Sequence, residues 1–174
     1  MASQDSENFV NKIWWVVGGI LVGTIITGTL QFAYSWYDRY QQKKSLKSAF
    51  SGEISALLGI NDQLEISKYA KECKLKIQKS GNTNLFYFPV KNNYFNVYTN
   101  YISKIGMLES DNSKDICTFY TYALSATEYL NELSENKKTR RNVKQLCEDI
   151  DDLIALLSKL DKIGKAIIKH LDES

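Results

Sequence analysis

The chain has 174 residues, 24% of them charged and 44% hydrophobic, a composition that excludes an intrinsically disordered protein. Its formal net charge of +2 is too even for a protein that binds nucleic acid through phosphate contacts. The three cysteines, Cys73, Cys117 and Cys147, form no C-x-x-C pair, which argues against a disulfide framework and for buried thiols in a reducing compartment.

In chain order, residues 1–12 form a short, polar N-terminus. Ile13–Tyr37 follows, twenty-five residues without a charge. As a helix at ~1.5 Å per residue this run reaches roughly 37 Å, enough to cross a hydrocarbon core of about 30 Å. Trp14 and Trp15 at one end, and Tyr34, Trp36 and Tyr37 at the other, stand where interfacial aromatic belts stand. Hydroxyls at Thr24, Thr27 and Thr29 can bond back to the helix backbone and so tolerate apolar surroundings. The run therefore predicts a single transmembrane helix. Ala33-Tyr34-Ser35 offers a signal-peptidase alternative, but the acidic start and the length of the run favour retention.

Arg39, Lys43, Lys44 and Lys47 follow the run, against Lys12 alone before it. This asymmetry predicts an inner-membrane protein with its N-terminus outside and residues 38–174 in the cytoplasm. The same bases are candidates for holding anionic lipid headgroups. Gly19, Gly23 and Thr27 make a ladder of small residues through which two anchors could associate.

Pro89 is the only proline, and long proline-free stretches suit helices. Leu46, Phe50, Ile54, Leu57, Leu58 and Leu64 share one helical face, and the helix is expected to run on through a lysine-rich end to Ser80-Gly81-Asn82. Leu85, Phe86, Tyr87 and Phe88 form an apolar connector, expected to fold over a core or to serve as a partner surface. Asn92 or Asn93 is expected to cap a short helix that Gly106 ends in a left-handed stop. The next helix carries Ile116, Cys117, Phe119, Tyr120, Leu124, Leu130 and Leu133 inward, and a charged loop from Glu135 to Arg141 leads out of it.

The last helix has the clearest period of the soluble part. Val143, Leu146, Ile150, Leu153, Leu157, Leu160, Gly164, Ile167 and Leu171 follow a 3-4 alternation. Ile154, Leu156, Ile163 and Ile168 widen the stripe, which favours burial in a bundle over a coiled-coil seam. Leu153, Leu157 and Leu160 are also candidates for a partner surface if the helix pairs with a second copy. The fold expected is all-α: one N-terminal transmembrane helix, then a cytoplasmic helical bundle with a long amphipathic C-terminal helix.

Three segments carry a resemblance: Glu53-Ile54-Ser55-Ala56-Leu57-Leu58, then Phe95 to Leu108, then Phe119-Tyr120. Together they resemble an uncharacterised group of small bacterial proteins, in which an anchor is followed by E-I-x-A-L-L, F-x-V-Y-x-x-N-x-x-x-I-G-L-L and F-Y segments. The likeness covers roughly residues 13–133, with Met107 in place of the usual leucine. It implies a membrane-tethered helical domain and no established activity.

Catalytic chemistry is sparse. His170 is the only histidine, placed near a helix end where a cation is favoured. Glu148, Asp149, Asp151 and Asp152 have the residue types for a hard cation, but fit a solvated face beside Lys144. Lys137, Lys138, Arg140, Arg141 and Lys144 form a basic cluster without the interleaved aromatics used for single-stranded nucleic acid. No catalytic residue, cofactor or metal is assigned. The expected function is a non-enzymatic, membrane-anchored interaction or scaffold module, with another protein, a second copy and the bilayer as partners. The alternatives are a phage-related defence or exclusion component, an envelope-spanning rod with its body outside, and a hydrolase or metal enzyme joining the acidic cluster to Cys147 or His170.

Overall fold

The computed structural model describes residues 2–88, 94–135 and 142–173; of the side chains of 2–18, 20–22 and 135 nothing is said. The described residues form five α-helices and two short 3-10 turns, with no strand among them. Helix α1 is Ala2–Gln63, α2 Ile66–Ser80, α3 Asn96–Tyr101, α4 Ser110–Glu135 and α5 Val143–Glu173. The 3-10 turns are Thr83–Leu85 and Ile102–Met107. The all-α class expected from the hydrophobic periods is the class observed.

The chain divides into two compact units, Met1–Lys44 and Ser45–Ser174. In the first, the helix satisfies its own hydroxyls. Thr27 Oγ1 donates to the Gly23 carbonyl at 2.8 Å, and Thr29 Oγ1 to the carbonyls of Ile25 and Ile26 at 3.0 and 2.8 Å. Each pairs a polar donor with the helix's own backbone, as the sequence suggests for these hydroxyls. Among the described residues no helix is long and apolar enough to cross a membrane. The expected span draws much of its length from residues 13–22, whose side chains, Gly19 aside, lie outside the described ones.

The second unit holds the buried core, drawn from Leu46 at one end to Leu171 at the other. Helix α5 is its centre and packs against both α2 and α4. Leu146, Ile150, Leu153, Leu157, Leu160, Gly164, Ile167 and Leu171 are all buried, so the 3-4 alternation marks the inner face correctly. Gly164 has a specific task there. A Cβ at this position would meet Phe119 Cε2 at 2.9 Å and Leu58 Cδ1 at 3.0 Å, so the missing side chain lets α1 and α4 close on α5 together.

Several expectations need correction. The helix expected from Leu46 to Ser80 is two helices: the chain turns at Leu64-Glu65, with Glu65 in the left-handed region at φ 44°. Leu64 is consequently exposed rather than inward. Gly52 and Gly59 stay inside α1, because helix propensity differences of about 1 kcal/mol yield to tertiary packing. Gly81 does end α2 as a left-handed cap, its amide bonded to the Ile77 carbonyl at 2.9 Å. Gly106 is no such stop: it lies inside the second 3-10 turn without a positive φ. Asn92 and Asn93, and the loop residues 136–141, lie outside the described residues. On α4 the inner stripe runs through Ala123 and Ala126, which leaves Leu124 exposed. Leu124 is displaced from that stripe because adjacent helical residues point about 100° apart.

Replacing Gly164 by valine forces a branched, three-carbon side chain into the space of Leu58 and Phe119. It is expected to destabilise the fold by about 1–3 kcal/mol, read as a lower urea midpoint with an unchanged slope.

Candidate functional site

Glu53 stands beside Ile54, a core residue of α1, and so holds its carboxylate at the core edge. Three donors converge on it. The Val97 amide donates to Oε1 at 2.6 Å, the Tyr98 amide to Oε2 at 3.0 Å, and the Tyr120 hydroxyl also to Oε2. Helix α3 has only six residues and no side-chain cap of its own at Phe95. The carboxylate, 44 residues away in sequence, supplies that cap and places negative charge at the positive end of the helix.

Around this clamp lies a cluster of rings. Tyr98 stacks on Tyr120 with centroids 4.1 Å apart, while Phe50, Phe95 and Phe119 meet Tyr120 edge-on. Burial pushes the Tyr120 phenol well above its ordinary range, and the hydrogen bond and charge of Glu53 push the same way. Tyr98 is raised too, first by burial. With three donors already bound, the Glu53 carboxylate acts as a tie between α1, α3 and α4. The segments quoted for the resemblance meet at this point: Glu53 from the first, Val97 and Tyr98 from the second, Tyr120 from the third.

Beside the clamp lies a cavity of about 100 Å³, walled by the end of α1, by α4 and by α5 together with Phe88, Tyr94 and Phe95. Among the described residues its walls carry no charged side chain. Ala123 and Ala126 face it from α4, where larger residues would fill it. Asn61 contributes to the wall, and its carboxamide oxygen is buried with no donor among the described residues.

The predicted site residues are scattered. In the first unit, a Cβ built on Gly19 or Gly23 meets nothing within 4 Å beyond the helix's own neighbouring backbone, and Thr27 is tied to Gly23. Arg39 and Lys44 are exposed and Lys43 is half-buried. In the second unit Lys47 is buried and pairs with Glu109 at 3.3 Å. Leu153, Leu157 and Leu160 are core residues, so they offer no free partner surface; the stripe that suggested pairing is used within the chain. The connector divides. Phe86 is buried and Phe88 half-buried, while Leu85 and Tyr87 remain exposed. It is fastened through its last two residues: Tyr69 Oη donates to the Tyr87 carbonyl at 2.6 Å, and the Phe88 amide donates to Ser134 Oγ at 2.9 Å.

Asp151 of the acidic cluster binds Lys74 of α2, and Glu148 pairs with Lys144. Among the described residues no three His, Cys, Asp or Glu side chains are grouped to hold a metal ion. The cavity wall includes neither the acidic cluster nor Cys147 nor His170. Lys137, Lys138, Arg140 and Arg141 lie outside the described residues. In comparisons with protein-family models, curated proteins and solved structures, nothing matches this chain.

Two outcomes are expected of the clamp. Glu53→Ala removes the cap of α3 and strands the buried Tyr120 hydroxyl, lowering stability by roughly 2–3 kcal/mol and releasing Val97 and Tyr98 amides to hydrogen exchange. The second concerns pH. A phenol whose folded pKa exceeds its unfolded value of about 10 keeps its proton in the folded state after the unfolded chain has lost it. Stability is therefore complete below pH ~10 and falls as the pH rises past it. Urea midpoints measured across that range should decline less steeply in Tyr120→Phe.

Proposed function

We propose that this chain is a membrane-anchored, non-enzymatic module whose helical bundle binds another protein or a second copy of itself. The observation that carries the reading is the apolar run and what surrounds it. Ile13–Tyr37 is uncharged and is followed by Arg39, Lys43 and Lys44. From Gly23 to Tyr37 every side chain of this helix is exposed, and Ile25, Ile26, Leu30, Phe32 and Trp36 are 53–75% so. An apolar helix exposed all round calls for a cover, and a bilayer supplies one without a second polypeptide.

On this reading the short N-terminus lies outside and the bundle in the cytoplasm, by the excess of bases after the run. Arg39, Lys43 and Lys44 hold headgroups at that surface. Gly19, Gly23 and Thr27 give two anchors a face for close approach. Tethering confines the bundle to two dimensions and raises its effective concentration toward membrane-bound partners. The exposed pair Leu85 and Tyr87 is the part of the connector left for such a partner.

The test is fractionation and topology. The full chain should stay with membranes after alkaline carbonate extraction, and a fluorescent protein fused after Ser174 should be bright while alkaline phosphatase at the same place is inactive. Release by carbonate removes the anchor. Active phosphatase reverses the topology.

A further inference from the structure

We infer that the cavity beside the clamp is a binding site for the end of an aliphatic acyl chain. Three features set its chemistry. The walls are built of carbon-rich side chains such as Leu58, Phe119, Leu130 and Leu160, with no charge among them. A space of that kind favours hydrocarbon over a polar ligand, whose one unpaired partner among the described wall residues is the buried Asn61 oxygen. Its volume of about 100 Å³ is comparable with a dry, apolar cavity of roughly 150 Å³ that takes up benzene, so it accommodates a few carbons rather than a whole lipid.

Access is the third feature. Leu64, in the turn between α1 and α2, lines the cavity and is 49% exposed, so the wall reaches the surface there. A chain can enter by its methyl end while its polar head stays in water. Ala126 fixes the depth, because a leucine there would occupy the space. The cavity stands on its own geometry; only the bilayer as the source of the acyl chain rests on the reading of Ile13–Tyr37 as an anchor.

The experiment uses the full chain in lipid nanodiscs and a medium-chain fatty acid carrying a terminal diazirine. After irradiation, adducts are mapped by peptide mass spectrometry. The inference expects labelling within residues 57–64 or 119–130, displaced by unlabelled octanoate. It also expects the labelling to fall to background both in Ala126→Leu, which fills the space, and in Leu64→Glu, which puts a charge at the exposed wall without touching the core. No adduct in these segments, or one that neither variant changes, overturns the inference and leaves the cavity to an aliphatic side chain of another protein. Adducts in residues 13–37 report separately on the anchor, so the two readings fail independently.

Discussion

One carboxylate organises the part of the bundle that helix propensity could not. A six-residue helix in isolation does not form, because nucleation fixes several residues for a single hydrogen bond. Helix α3 exists because Glu53 meets its first amides and Tyr98 lies flat on Tyr120. The same carboxylate takes the Tyr120 hydroxyl, which would otherwise be a buried donor without a partner. One group thus satisfies three donors from two other elements, and the aromatic cluster closes over it.

The other constraint is steric. At Gly164 the last helix gives up a side chain so that Leu58 and Phe119 can approach. Those two residues also line the cavity. Tight contact at Gly164 and the cavity thus share the same pair of side chains.

The legibility of this arrangement in the sequence follows the range of the interactions. Helix α5 was readable residue by residue because its inner face is a local period, and Gly81 was readable because a left-handed cap needs only its own helix. The turn at Leu64-Glu65 was not: a glutamate there carries no turn signal, and its backbone is held by packing that joins α2 to α5. Leu124 was misplaced because leucine outranks alanine as an inward residue until neighbouring helices fix the stripe. The clamp was hidden for a deeper reason. Its partners are separated by 44 to 67 residues, and no spacing rule connects a carboxylate to amides so far along the chain. The three segments were visible as a set, but their meeting point was not.

The placement of Leu58 against Gly164, and of Ser51 within hydrogen-bond reach of Asp172, has a bearing on biosynthesis. The earliest and latest parts of the second unit complete one another, so the unit closes only once α5 has been made. Leu58 is made more than a hundred residues before Gly164 and waits for it. A stall before Gly164 would leave that approach of Leu58 and Phe119 unmade.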